Sequence, residues 1–200
     1  MTGIYIYNSI ALGGFQESSS DIDFMTICNS QFEMKDLQYL EQLHRFIAIS
    51  FPRVNRLDGM YLRFTDIGKL NKEIDKYPYC NNGKFMKNGY YDNNHVSCWT
   101  LYNHGIKLQG LYVSDLNISV TWNNIIKTMD YNLNNYWQKK LQTPDLFAQD
   151  YWIEFIILTL SRIIYTLEKN KITTKTIAAN YMNYKYPDWK LLVRPYSKRC

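Results

Sequence analysis

The stretch Ile4–Ile27, IYIYNSIALGGFQESSSDIDFMTI, constrains this chain more than any other. Ile4, Tyr5, Ile6 and Tyr7 are β-branched and aromatic, which predicts a short strand. Asn8-Ser9 follow, then a short apolar turn of helix and the pair Gly13-Gly14. Asp21–Ile27 predicts a second strand. Asp21 and Asp23 are two apart on it, and side chains alternate along a strand, so both carboxylates project from one face. Two anions side by side on a strand that otherwise reads as core repel each other and lose hydration. A divalent cation removes both costs, and Mg²⁺ takes hard oxygen ligands that it shares with substrate phosphates. The preceding loop supplies Ser9 and backbone N–H groups suited to a phosphate at a helix N-terminus. A lone Asp-x-Asp is more often a solvated strand edge or turn. Coupled to Asn8-Ser9, Gly13-Gly14 and apolar flanks, it points to a metal–nucleotide site.

The same residues carry a resemblance. Asn8-Ser9, Gly13-Gly14 and Ser20-Asp21-Ile22-Asp23 resemble the signature of the nucleotidyltransferase superfamily, a Gly-Ser pair followed by Asp-x-Asp. Within it, SIALGGFQESSSDIDFM is similar to the aminoglycoside adenylyltransferases of the streptomycin/spectinomycin type. Asn8 stands where that family has Gly. Asn tolerates left-handed backbone better than other non-Gly residues, so the turn is expected to survive. The resemblance implies an α+β fold, with a small mixed-sheet nucleotidyltransferase domain over residues 1–113 and an all-helical bundle domain over residues 114–200. The family has a helix before the first strand and further helical turns after the last, so a shortened helical domain is expected.

Composition narrows the function classes. The net charge is +5, but Lys and Arg are scattered apart from Arg194, Lys198 and Arg199. Without a basic stripe, nucleic acid is not an expected partner. No apolar run reaches the length of a membrane span; the longest, Trp152–Leu160, is broken by Glu154. The N-terminus lacks the basic start and cleavage site of a secretory signal. Cys28, Cys80, Cys98 and Cys200 show no paired metal spacing and read as free thiols of a reducing cytoplasm.

Further along, Glu33–Ile49 predicts a helix whose apolar face comprises Leu37, Leu40, Leu43, Phe46 and Ile47. His44 lies beside that face, as a surface or boundary residue. Arg56–Leu62 predicts a third strand with Asp58 near its start. A third carboxylate there would help place the metal or take the proton of an attacking hydroxyl; the alternative is an ordinary turn acid before Gly59. Thr65–Tyr91 reads as an irregular connection, in which Tyr79, Tyr90 and Tyr91 are loop packing or sugar contacts. Ser97–His104 predicts a helix stopped by Gly105, carrying Trp99 as a core residue, and Ile106–Gly110 a strand. From Ser114 onward the pattern is helical. Trp122, Ile125, Ile126, Met129, Leu133 and Trp137 form a stripe, Pro144 opens the next region, and Tyr151–Lys169 is apolar on nearly all sides and should be central. Arg162 within it must find an anion or snorkel outward. Thr173-Thr174 reads as a helix N-cap, and Lys175 sits in the first turn behind it.

The segment LTLSRIIYTLEKNKITTKTIAANY resembles the helical-domain signature of the same adenylyltransferases, in which an Arg and a later Lys reach ATP phosphates. Carried over by position, these are Arg162 and Lys175. The implied reaction is transfer of AMP from MgATP to a hydroxyl of an aminoglycoside-type antibiotic, conferring resistance. Asp21 and Asp23 would hold Mg²⁺, Ser9 would grip phosphate, and Asp58 would act as third ligand or base. Two other readings stay open: a nucleotidyltransferase acting on protein or RNA, as in toxin–antitoxin pairs, and a shortened, inactive remnant.

Overall fold

The computed structural model describes the backbone of residues 2–197 and the side chains of residues 2–193. The basic cluster of Arg194, Lys198 and Arg199, and Cys200, lie outside the side chains so described. The chain divides into two compact units between Val120 and Thr121.

The first unit is built on a six-stranded sheet of β1 (Gly3–Ile6), β2 (Ile22–Cys28), β3 (Leu57–Arg63), β4 (Tyr77–Asn81), β5 (Lys84–Gly89) and β6 (Ile106–Gly110), in the order β5-β4-β3-β2-β1-β6. Only β2 and β3 run parallel; the other pairs are antiparallel. A parallel pair needs a crossover. Helix α2 (Met34–Ser50) supplies it, after the single turn α1 (Asn8–Ala11) that follows β1. Helix α3 (His95–His104) precedes β6.

Each face of the sheet has its own core. One buries Tyr5, Tyr7, Met25, Ile27, Met60 and Leu62 with Cys98 and Leu101 of α3. The other buries Phe24, Tyr61 and Cys80, with Leu40 of α2 and Phe85 packed against them. Gly59 makes the second core possible. A Cβ there would lie 2.3 Å from the Phe24 carbonyl oxygen and 2.4 Å from its ring. Asp58-Gly59 lies inside β3, paired with Asp23 and Phe24 of β2, which removes the turn-acid reading.

Two expectations need correction. Residues 65–91 are not irregular throughout, because they contain the β4–β5 hairpin. Its turn, Asn82-Gly83, has positive φ at both residues (49° and 73°), the dipeptide and geometry that match strand twist in a tight hairpin. Helix α2 is also rotated from its predicted pose. Phe46 is 64% exposed and Leu43 is exposed too, whereas His44 is buried at 3%. The reason is a polar contact inside the core. His44 Nε2 lies 2.7 Å from the Tyr61 hydroxyl, and the imidazole stacks on Phe85 at 4.9 Å. Hydrophobic periodicity cannot see a histidine that is satisfied by a tyrosine.

The second unit is helical. Helix α4 (Trp122–Tyr131) is capped by Thr121 and widens into a π-helical stretch at Asn132–Trp137. Helix α5 (Asp150–Lys169) buries Ile157, Leu158, Ser161, Ile163 and Thr166 and ends at left-handed Asn170. It packs against α6 (Lys175–Lys185) and α7 (Lys190–Ser197). Their shared core is Ile157, Leu158, Ala179, Met182 and Val193. Among the described residues no helix is long and apolar enough to cross a membrane, and Cys28, Cys80 and Cys98 are free thiols.

Burial lowers the pKa of His44, and its Nδ1 has no partner among the described residues. A depressed histidine stabilises the fold above its unfolded pKa, and that stability is lost as pH falls, because the unfolded chain takes the proton first. The stability advantage of the native chain over His44→Phe should therefore shrink as pH falls from about 7 to about 5, where histidine titrates. Urea titrations of both proteins across that range measure it, and an advantage that stays constant or grows counts against this account.

Candidate active site

The strand–turn–strand unit brings its polar groups to one end of the sheet. Tyr7 follows β1, its backbone N–H bonding the Asp23 carbonyl at 3.1 Å. Asn8 then takes φ +54°, the left-handed conformation that a Gly would adopt without strain. Its side chain is not idle, because it hydrogen-bonds the Asp23 carboxylate. Asn here combines a turn residue with a ligand for the acid opposite. Ser9 lies in α1, with its hydroxyl 3.4 Å from the Asp21 carbonyl, a weak contact. The loop onward from Gly13 (φ +71°) is held from outside. The Arg56 guanidinium donates to the carbonyls of Glu17 and Ser18, and Arg53 pairs with Glu17 at 2.6 Å.

Asp23 and Asp58 are register partners on the parallel strands β2 and β3, so they share a face. That face continues as Met25, Ile27, Met60 and Leu62 into the core, which explains why Asp23 is poorly hydrated. Burial raises its pKa to about 7; Asp92, Asp21 and Asp58 add repulsion, and the Asn8 hydrogen bond opposes it. Asp21, just before β2, is exposed.

Asp58 is 8% exposed, and both its oxygens serve the protein. The Asn82 backbone N–H donates to Oδ1 at 2.5 Å and the Tyr91 hydroxyl to Oδ2 at 2.8 Å. It ties the hairpin tip and the segment before α3 to the sheet. Tyr91 stacks on Tyr79 at 5.4 Å, and the Tyr90 hydroxyl donates to the Ile74 carbonyl, so these tyrosines serve as packing. Trp99 is half-buried on α3.

Asp92 was not picked out from the sequence. It approaches α3, whose cap Asn94 accepts from the N–H groups of Val96 and Ser97. No local pattern marks it, because only the fold brings it near Asp23. In the second unit, Arg162 is half-buried on α5. Lys175 opens α6 as an exposed residue, behind the Thr174 hydroxyl, which accepts from Ile177 N–H at 3.3 Å.

Among the described residues, no three or more His, Cys, Asp or Glu side chains are grouped so as to hold a metal by themselves. Mg²⁺ does not require such a cage, since one or two carboxylates suffice when phosphates and water complete the shell. A desolvated acid pressed by like charges suits that mode, because a cation relieves the repulsion.

Neither a family model nor a curated protein sequence matches this chain. Among solved structures it is similar to the spectinomycin adenyltransferase AAD(9) of Enterococcus faecialis, solved with ATP and spectinomycin. The TM-score is 0.67 at 18% identity, over 98% of this chain and 82% of that one. The likeness is one of fold. This chain shares the architecture of that structure, a mixed sheet with helices.

A raised carboxylate pKa lowers stability progressively as pH climbs from the unfolded value toward the folded one. Asp23→Asn removes that cost. In chelator, its stability gain over the native chain should grow by roughly 2–3 kcal/mol between about pH 5 and about pH 8, from 1.36 kcal/mol per pKa unit. Thermal or urea unfolding reads the difference, and a gain that shrinks with rising pH excludes a desolvated acid.

Proposed function

We propose that this protein is an adenylyltransferase that moves AMP from MgATP to a hydroxyl of a streptomycin- or spectinomycin-like antibiotic. The observation that carries the reading is the pair Asp21 and Asp23 beside the left-handed turn at Asn8, in a fold of this type. Further support comes from the similar structure, which was solved with ATP and spectinomycin.

In this reading Asp21 and Asp23 hold the cation and Ser9 with its loop grips the outer phosphates. When bound, Mg²⁺ neutralises the triphosphate and stabilises charge that builds on the reacting phosphorus. Asn8 orients Asp23 through its amide. Asp58 stands on the neighbouring strand as third ligand or base. Its bonds to Asn82 and Tyr91 favour a bracing part over a mobile one. Arg162 and Lys175 supply cationic contacts to the triphosphate from the helical unit.

Incubation with labelled ATP, Mg²⁺ and a panel of aminoglycosides tests the proposal. Label is expected on a drug hydroxyl, falling to background in the Asp21→Ala/Asp23→Ala double variant. Label on protein or RNA alone favours a toxin-type nucleotidyltransferase, and no transfer to any acceptor favours an inactive remnant.

A further inference from the structure

Helix α2 carries two apolar faces, and the fold uses one of them. Toward the sheet it turns Leu40 and the buried His44 onto the aromatic core of Phe24, Tyr61 and Phe85. Leu37 and Ile47, half-buried, continue that side at helical spacing. Away from the sheet, Tyr39, Leu43, Phe46 and Ile49 recur at spacings of four, three and three residues, so they form one stripe. All four are exposed, from 48% at Leu43 to 87% at Ile49. Gln42 within the stripe is uncharged, and Glu41 and Arg45 pair with each other on its flank at 3.1 Å. A helix that is apolar on both sides belongs under cover on both sides.

Size and symmetry identify the cover. Four aromatic and aliphatic side chains this exposed present roughly 500 Å² per copy, so two copies pressed together remove on the order of 1,000 Å² from water, the area at which a specific interface begins. The stripe is also complementary to itself. An antiparallel copy, related by a two-fold axis that passes between Gln42 and Leu43, sets Tyr39 against the partner's Phe46 and packs Leu43 about the axis. No charge then meets a like charge along the stripe. Lys35 lies on the stripe one turn before Tyr39, with Nζ 5.8 Å from the Tyr39 ring, and falls beside the last α2 turn of the other copy. That turn has no basic residue of its own, and the negative end of a helix attracts a cation. Asp36, in the same first turn, is drawn back to the Glu33 N–H at 2.9 Å.

We propose that this protein forms a homodimer in which two copies of α2 pack antiparallel through Tyr39, Leu43, Phe46 and Ile49. Such a dimer neither requires nor excludes adenylyl transfer.

Sedimentation velocity on the full chain tests it. The native chain should sediment as a dimer with a dissociation constant of about micromolar or tighter, the range open to interfaces of this size. Tyr39→Lys and Phe46→Glu should each sediment as monomers. Both side chains are exposed, so each variant should keep a cooperative melt, which thermal unfolding verifies. Mixing the two variants brings opposite charges together in one half of the contact and leaves the other half native. The mixture should therefore form a heterodimer although neither variant pairs with itself. A native chain that is monomeric at about 100 µM, where a micromolar dimer is nearly complete, overturns the proposal. A dimer that persists in Phe46→Glu overturns it as well, and a folded mixture that stays monomeric overturns the antiparallel pairing.

Discussion

The structure turns on an acid that water cannot reach well. Asp23 sits where β2 leaves the core, on the same face as Met25 and Ile27, with Asp21, Asp58 and Asp92 nearby. A fold tolerates such a group only when it is neutralised or paired. The Asn8 amide partly serves that end, opposing the rise in pKa that burial causes. In the proposed reaction a cation would take that part, so the group that burdens folding is the one the proposed chemistry uses.

The surrounding architecture holds this arrangement in place. The parallel β2–β3 pair sets Asp23 against Asp58, and α2 makes that pairing possible by crossing the far face. Gly59 leaves room for the Phe24 ring, so α2 and its aromatic layer pack close beneath. Asp58 fastens the hairpin tip and Tyr91. Arg53 and Arg56 grip the loop that leads into β2. Each contact restricts a backbone segment that carries an acid or a turn of the site.

Much of this was legible in residue order. The strand at Ile4–Tyr7, the left-handed tolerance of Asn8 and the helix cap at Thr173-Thr174, which falls on Thr174, all rest on local stereochemistry, and the structure shows each of them. The hairpin was legible too and was passed over. Asn82-Gly83 between β-forming residues is a strong turn signal, masked by the polar composition around it. The pose of α2 was not legible, because His44 is buried through one hydrogen bond to a residue on another strand.

By itself, the sequence determined where most strands and helices form and which turn goes left-handed. Those properties depend on neighbours a few positions apart. Tertiary structure alone decided that Asp58 is tied down, that the buried Tyr7 hydroxyl has no partner among the described residues and that Asp92 lies near Asp23. Those facts join residues separated by tens of positions, and their energies depend on burial and dielectric, which no short stretch of chain carries.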